Sequence, residues 1–287
     1  MIGNSIVADA RRIFHKSLLN EGILTVDRAG IPSNADKSSR LSVEISKIIA
    51  SELMASVGDK IVGQTSGAKF EVFTMEFLRN TFPYMSTLRP GKWHIDKLGN
   101  RSAMKTSSFS QYEHLDYLNA LTKADALLAT TLGNDYMVAP DIVVYREPES
   151  DDVINAGALV VDDSVCSLTP LRAKNNSLPL LHASVSAKWT MRSDRAQNSR
   201  TEALGLIRNR KGHLPHIVVV TAEPMPSRLA SLALGTGDID CLYHFALYEL
   251  VRAVGATGAE DAMETLNILI KGKRLKDISD LPIDLAI

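Results

Sequence analysis

Cysteine is scarce in this chain, and the two residues present, Cys166 and Cys241, lie far apart. Neither belongs to a C-x-x-C pair or to another zinc-ligand spacing, so the sequence indicates neither a disulfide framework nor a zinc site. Apolar runs of about 18 uncharged residues are also missing. The N-terminus lacks the apolar segment and cleavage site of a signal peptide. We therefore expect a cytoplasmic protein that does not span a membrane.

An excess of positive charge is absent as well. Lys and Arg number 32 against 33 Asp and Glu, for a formal net charge of −1, so no global field attracts nucleic acid. Positive charge is concentrated between residues 188 and 211, where seven Lys and Arg accompany two acids, Asp194 and Glu202. A solvated helix face is the commoner meaning of such a run. A local nucleic-acid contact is the alternative.

The remaining composition is that of an ordinary α/β protein. Of the 287 residues, 45% are hydrophobic and 23% are charged, which suits one large domain over 1–287. Apolar periodicity predicts helices over 5–20, 41–57, 111–130, 194–210, 241–254 and 260–271. Alternation and β-branched runs predict strands over 92–98, 141–145, 180–190 and 216–224. The strand, helix and strand between 180 and 224 are typical of a βαβ unit.

Two further segments are less regular. GQTSG at 63–67 precedes a predicted helix start, in which Glu71 lies in the first turn or two. Residues 147–179 contain acidic, Asn-rich and Pro-containing stretches, and we expect an insertion or a hairpin with loops.

Charged residues on the predicted core strands are candidates for chemistry. Asp141 follows Pro140 at the start of the strand DIVVY, where a simple turn residue would be the ordinary interpretation. On the next core strand, period-two alternation places Ser186 and Lys188 on the same face. A lysine among residues this apolar is costly to bury without an anion. A buried ion pair with Asp141 or Glu202 is one explanation, and a catalytic site is the other.

The spacing of these residues resembles that of the PD-(D/E)xK nucleases. A Pro-Asp opens one strand, and Lys188 follows 188 − 141 = 47 positions later on the next core strand. In that superfamily the Asp and a second acid hold Mg²⁺ beside the scissile phosphate, and the Lys orients or deprotonates the attacking water. Here Ser186 stands in place of the second acid, and a hydroxyl is a poor substitute for a carboxylate at a hard cation. Glu202, about two turns into the following helix, can return the missing charge.

The combination of Pro-Asp, Ser-x-Lys and a displaced Glu resembles the NgoMIV-type restriction endonucleases, the tetrameric type IIF group. The likeness spans nearly the whole chain and includes GQTSG, LLHASVSAKWTMRSDRAQNSR, RNRKGHLPHIVVVTAEP, ALGTGDIDCLYHFALYEL and GKRLKDISDLP. It implies an α/β fold with a restriction-endonuclease-like core, in which helices flank a central mixed β-sheet. It also implies an enzyme that makes Mg²⁺-dependent double-strand cuts in DNA by hydrolysing phosphodiester bonds.

The resemblance also implies roles for individual residues. The catalytic residues would be Glu71, Asp141, Ser186, Lys188 and Glu202. Asp141 and Glu202 would bind one or two Mg²⁺ ions, together with the backbone carbonyl of Ala187. Lys188 would lie beside the nucleophilic water, and whether it is the formal base stays open.

A tetrapeptide directly after the predicted catalytic strand carries the chemistry to read G·C pairs. Arg192 and Arg195 can each bond the O6 and N7 of guanine, and Asp194 can accept from the N4 amino group of cytosine. In an isolated sequence Asp194 would more simply be an N-cap. The resemblance implies that these three residues read a CCGG core within GCCGGC. It also places Gln64 and Ser38 near the outer base pairs, although the loop SNADKSSR departs from the family pattern.

A palindromic target implies at least a symmetric dimer, because each subunit reads one half-site and cuts one strand. The resemblance alone implies a homotetramer, a dimer of dimers that binds two double-stranded DNA sites. The metal count and the partner methyltransferase are not visible in the sequence.

Three other classes of protein remain open. A DNA-binding protein without catalysis would keep the fold, but the intact Asp141, Lys188 and Glu202 argue against it. A small-molecule α/β enzyme would bind a metal or phosphate at GTGDID, residues 235–240, although a Gly-rich loop before a helix explains that segment equally well. A repair or transposon-end nuclease of the same superfamily shares the chemistry and has no need of the tetrapeptide at 192–195.

Overall fold

A six-stranded β-sheet runs through the part of the chain that the structure describes, in the spatial order β1-β2-β3-β4-β5-β6. The computed structural model describes residues 5–58, 63–98, 104–132, 139–191, 193–235 and 237–287, with backbone alone at 63, 64, 132 and 193–196. The strands are β1 Trp93–Lys97, β2 Ile142–Arg146, β3 Leu180–Lys188, β4 His216–Thr221, β5 Cys241–His244 and β6 Leu275–Asp277.

Helices cover the sheet. They are α1 Ile6–Asn20, α2 Arg40–Glu52, α3 Gly63–Arg79, α4 His114–Ala124, α5 Ala126–Leu132, α6 Asp151–Ile154, α7 Ser193–Asn209, α8 Pro226–Ala233, α9 Leu247–Thr257, α10 Glu260–Lys271 and α11 Leu281–Asp284. In the described ranges, no helix combines the length and apolar character needed to cross a bilayer.

The sheet is mixed. Strands β1, β2 and β3 pair antiparallel, whereas β3, β4, β5 and β6 are parallel to one another. The parallel pair β3 and β4 is joined through α7, which confirms the predicted βαβ unit. Strand β3 has a neighbour on each side, and its residues between Leu181 and Ala187 are buried. The predicted α/β class with a central mixed sheet is therefore confirmed.

Helix α3 packs its aromatic residues against the end of β3. Phe70 is fully buried, and its ring meets that of Trp189 edge to face at a centroid distance of 5.2 Å. Such pairs prefer tilted or edge-on geometry and contribute about 0.5–1.5 kcal/mol beyond the burial of their area. Phe14 and Phe77 extend the same cluster towards α1. This packing fixes the position of Glu71, the next residue after Phe70.

Several predicted helix boundaries were wrong. GQTSG lies within α3, so Glu71 is in its third turn and not its first or second. The helix predicted over 41–57 stops at Glu52, and Met54 adopts a left-handed φ of 60°. Residues 111–130 form two helices, because the Asp125 carboxylate accepts from Leu127 N and Leu128 N and caps α5.

The structure also contains strands and helices that the hydrophobic periodicity of the sequence did not reveal. Cys241–His244 is strand β5, so the helix predicted from 241 begins at Leu247. A short apolar run has no period of its own, and its pairing with β4 decides its conformation. Strand β6 and helix α8 were not predicted. Within 147–179, α6 is tied to the following turns by Arg172, whose buried guanidinium binds the Asp151 carboxylate at 2.5 Å.

Candidate active site

Asp141 lies at the junction of the three antiparallel strands. It immediately precedes β2, and its carbonyl accepts from Leu98 N at the end of β1. Because Ile142 pairs with Val185, the carboxylate of the preceding residue reaches Ser186 and Ala187 on β3. Its Oδ2 atom accepts from the Ala187 amide at 2.9 Å and from the Ser186 hydroxyl at 3.3 Å. A backbone donor and a side-chain donor therefore hold this carboxylate in place.

Lys188 completes the set of donors around Asp141. Its Nζ atom lies 2.8 Å from the same Oδ2, and the two side chains are 18% and 17% exposed. Burial lowers the pKa of Lys188, but the charges of Asp141, Glu202 and Glu71 outweigh it, so the pKa is raised overall. Lys188 is thus a fixed cation at neutral pH. This geometry agrees with the ion pair that the sequence left open.

Glu202 brings a second carboxyl group to the site from α7. Its pKa is raised to about 7, because burial and the negative charges of Asp141 and Glu71 outweigh the opposing charge of Lys188. A hydrogen bond from Ser186 also favours the charged form. Three carboxyl groups lie beside two lysines, Lys188 and Lys97, so the site carries a surplus of negative charge when all three are ionised. A site of this kind is stabilised by an added cation.

Ser186 connects the strand residues to α7. The side chain is buried, and its hydroxyl lies 3.4 Å from the hydroxyl of Ser199, which is also buried. Ser199 precedes Glu202 by three positions on α7, so both lie on one face of the helix. Sequence reasoning missed Ser199. The same i, i+3 spacing from Glu202 is the signal that would have found it.

Glu71 reaches the site from α3 and is held by a lysine that was not predicted. Its carboxylate forms an ion pair with Lys97. Lys97 is the last residue of β1 and pairs with Ile142, next to Asp141. Glu71 is close enough to contribute to the raised pKa values of Lys188 and Glu202. The structure therefore brings all five predicted catalytic residues to one site, where strands β1 and β3 end and strand β2 begins.

The predicted DNA-reading residues are described only in part. Arg192 lies outside the described residues. Asp194 and Arg195 lie in the first turn of α7, and Gln64 lies in the first turn of α3, but their side chains are outside what the structure describes. Ser38 is exposed, and both its amide and its hydroxyl donate to the Asp36 Oδ1, at 3.0 and 2.7 Å. Their contacts with bases therefore stay predictions.

The two aspartates of the alternative site at 235–240 contact neighbouring parts of the fold. Asp240 Oδ2 accepts from Ile217 N at 2.8 Å, and Asp238 faces Arg200 at 3.6 Å. The loop leads into β5 and not into a helix. Both carboxylates thus connect neighbouring elements of the fold, and the case for a small-molecule site is weakened.

Divalent-metal binding can be judged from the donors present. In the described part of the chain, no group of three or more His, Cys, Asp or Glu side chains forms a ready-made metal site. The carboxylates of Asp141 and Glu202 lie at one site with surplus negative charge, and the adjoining backbone of β3 offers carbonyl oxygens. Hard cations such as Mg²⁺ bind to one or two carboxylates and retain water ligands. The residues present therefore fit a magnesium ion.

Comparison with known proteins identifies relatives of this chain. The sequence matches the NgoMIV restriction enzyme family over residues 14–287. It is 49% identical over 285 residues to the Type II restriction enzyme NgoMIV of Neisseria gonorrhoeae, covering 99% of this chain and 100% of that protein. A solved chain described as a restriction endonuclease PspGI–substrate DNA complex aligns over 97% of this chain and 91% of its own, with 11% identity and a TM-score of 0.26. That score is too low to support any argument about the fold.

The family match and the full-length relative show the class of this protein, which is a type II restriction endonuclease. The chain belongs to the NgoMIV restriction enzyme family. This confirms the resemblance inferred from Pro-Asp, Ser-x-Lys and the displaced Glu.

Proposed function

We propose that this protein makes Mg²⁺-dependent double-strand cuts in DNA at a palindrome with a CCGG core, GCCGGC. The observation that carries the proposal is the convergence of Lys188 and the Ala187 amide on one oxygen of Asp141, beside the buried carboxyl of Glu202. An ion pair with a purely structural role has no need of a second carboxyl group held at a raised pKa. Membership of a restriction enzyme family supports the same chemistry.

Asp141 and Glu202 would hold one or two Mg²⁺ ions, with the Ala187 carbonyl as a further ligand. When bound, Mg²⁺ neutralises charge on the phosphate and activates water. The chain's own residues prepare the site for this. The Ala187 amide and Ser186 hold Asp141 Oδ2 in a fixed position, and Ser186 also contacts Ser199 on α7.

Lys188 would act on the attacking water. As a fixed cation, it lowers the cost of forming hydroxide and stabilises negative charge that develops at the phosphate. Glu71 would support the site from α3, where Lys97 holds its carboxylate.

The residues proposed to read the DNA sequence come directly after the catalytic strand. Strand β3 ends at Lys188 and α7 begins at Ser193, so the tetrapeptide at 192–195 stands at the start of that helix. We propose that Arg192, Asp194 and Arg195 contact the CCGG core in the major groove. Gln64 and Ser38 would contact the outer base pairs. A palindrome is read by a symmetric dimer, and two such dimers would form the family's tetramer around two DNA sites.

The test is cleavage of a defined plasmid. Purified protein is incubated with a plasmid that contains GCCGGC, with Mg²⁺ or with EDTA, and the ends of the products are sequenced. We expect discrete double-strand cuts within GCCGGC that depend on Mg²⁺. Nicks, smears or cuts at unrelated sequences would instead indicate a repair or transposon-end nuclease. Binding without any cleavage would indicate a DNA-binding protein.

A further inference from the structure

Lys97 brings a second positive charge to the candidate active site. It is the last residue of β1 and pairs with Ile142, and the amide of the following Leu98 donates to the Asp141 carbonyl at 3.1 Å. The sheet therefore fixes the backbone of Lys97 beside that of Asp141. The Nζ atom of Lys97 forms an ion pair with the Glu71 carboxylate on α3.

Other contacts already join α3 to β1 and its neighbours. Arg79, in the last turn of α3, donates through Nε to the Ile95 carbonyl at 2.7 Å and pairs with the Asp96 carboxylate at 2.6 Å. The contact between the rings of Phe70 and Trp189 anchors the middle of the same helix. A half-exposed ion pair adds little stability to such an arrangement. The ion pair at the end of β1 therefore needs an explanation other than anchoring.

The two lysines of the site differ in how firmly they are held. Lys188 is 18% exposed, and its partner Asp141 is also held by the Ala187 amide at 2.9 Å. Lys97 is 37% exposed. A long lysine side chain with access to water keeps its ammonium hydrated when it leaves a partner. Lys97 is therefore the cation that can release its carboxylate at the smaller cost.

The acids of the site need compensating charge whether or not a metal is bound. Asp141, Glu71 and Glu202 lie close enough for their charges to interact. Lys188 pairs with the first of these carboxylates, and Lys97 pairs with the second. Like charges at such a site destabilise one another. Lys97 thus neutralises a carboxylate that would otherwise add to the repulsion. A divalent cation supplies the same compensation, so the cation and Lys97 compete for Glu71.

We propose that Lys97 is a positioning residue that holds the Glu71 carboxylate until a divalent cation enters the site, and that it thereby sets the concentration of Mg²⁺ that the enzyme requires. The inference rests on the proposed function, because it assigns Mg²⁺ to this site. A purely structural ion pair would change the free energy of unfolding and leave the Mg²⁺ requirement unchanged. A lysine that contacts DNA phosphates would instead be needed for cleavage even at saturating Mg²⁺.

The test measures by two methods how much Mg²⁺ each protein requires. Thermal unfolding without DNA is recorded over a range of MgCl₂ concentrations at constant ionic strength, since a ligand of the folded state raises the unfolding temperature as it binds. The rate of cleavage of a GCCGGC duplex is measured over the same range. The variants are Lys97→Met, Lys97→Arg, Glu71→Gln and the double variant Lys97→Met with Glu71→Gln.

Lys69→Met is the matched control. Lys69 also lies on α3, its side chain is 38% exposed, and it pairs with Glu21 at 2.9 Å. Because residues two positions apart on a helix do not face each other, Lys69 and Glu71 lie on different sides of α3. The control therefore removes an ion pair of a lysine with nearly equal exposure from the same helix and leaves the site unchanged.

We expect Lys97→Met to lower the half-saturating Mg²⁺ concentration by about fivefold, which corresponds to the upper end of the range for exposed ion pairs. The cleavage rate at saturating Mg²⁺ should stay within about twofold of the wild-type rate. Lys97→Arg keeps the charge and should have a Mg²⁺ requirement near that of the wild type. In the Glu71→Gln background, Lys97→Met should have little further effect on this requirement, and Lys69→Met should leave it unchanged.

The inference is overturned if Lys97→Met leaves either half-saturating concentration at the wild-type value, or if its cleavage rate falls strongly at saturating Mg²⁺. An equal gain with and without Glu71→Gln would also overturn it, because Lys97 would then act on the cation directly and not through Glu71. Should Mg²⁺ stabilise neither protein without DNA, the cleavage titration decides. Lys97→Gln takes the place of Lys97→Met if the latter does not fold.

The wild type separates this inference from the proposed function. Wild-type protein whose cleavage of GCCGGC does not depend on Mg²⁺ would overturn the proposed function, and the inference with it. Mg²⁺-dependent cleavage by the wild type, with the same Mg²⁺ requirement in Lys97→Met, would overturn the inference alone.

Discussion

Asp141 and Lys188 form an ion pair across the β2–β3 junction in which Nζ lies 2.8 Å from Oδ2, with both side chains more than four-fifths buried. Removing one member of such a pair leaves the other charge poorly compensated. Substitutions at this pair therefore affect both stability and chemistry, and tests of catalysis need a stability measurement beside them.

Asp141→Asn should abolish cleavage, with a loss of roughly 10³-fold or more, because several kcal/mol of charge stabilisation in the transition state depend on the metal. Binding to the cognate duplex should be unchanged or tighter, since a carboxylate that faces phosphate is removed. Cleavage is followed by gel assay and binding by fluorescence anisotropy. Asp261→Asn, at an exposed position in α10, is the control. Equal cleavage by the variant and the wild type in Mg²⁺ would exclude Asp141 from the site.

Glu202→Gln should have opposite effects with and without metal. In EDTA the variant should be more stable than the wild type by about 1 kcal/mol, because the substitution removes a carboxylate that burial and the charges of Asp141 and Glu71 disfavour. In Mg²⁺ the order should reverse, since a ligand that binds only the folded state stabilises it by an amount that grows with the logarithm of its affinity. Urea denaturation in both conditions measures this. A variant that gains as much stability from Mg²⁺ as the wild type would show that Glu202 does not bind the ion.

His182 should make the protein sensitive to acid. Burial lowers its pKa to about 3, and its Nε2 donates to the Leu285 carbonyl at 2.7 Å. The unfolded chain takes up this proton near pH 6.5, so stability is present above that pH and is lost as the pH falls towards 3. The total loss is about 5 kcal/mol. Urea denaturation at pH 7 and pH 4.5 should show a smaller difference for His182→Gln, and an identical difference would contradict the assignment.

Arg192→Ala and Arg195→Ala should each cost about 1–3 kcal/mol of discrimination at one guanine. Affinities are compared for GCCGGC and for duplexes in which single guanines are replaced, in buffer without Mg²⁺. Arg208→Ala is the control, because Arg208 is exposed in the last turn of the same helix. A uniform loss of affinity for every duplex would assign the arginine to phosphate contact.

The residues that the sequence identified are those whose positions follow from local geometry. Alternation along β3 placed Ser186 and Lys188 on one face, and Asp141 was identified from its place at a strand start. Lys97 and Ser199 were not found, because their proximity to the site depends on the pairing of β1 with β2 and on how α7 lies over the sheet. Glu71 was predicted from the resemblance, yet its helix starts earlier than expected. Tertiary packing decides such positions, and a single sequence does not display it.

The contacts between residues 33–39 and the β4–α8 turn bear on any attempt to redesign this enzyme. A loop taken from a relative and transplanted alone would lose the partners that Asn34, Asp36 and Ser39 have at Ala222, Arg228 and Met225. If the loop contacts the outer base pairs as proposed, an exchange of target preference between two such enzymes requires the loop and the turn to be moved together, even though Asp36 and Arg228 are 192 positions apart in the sequence.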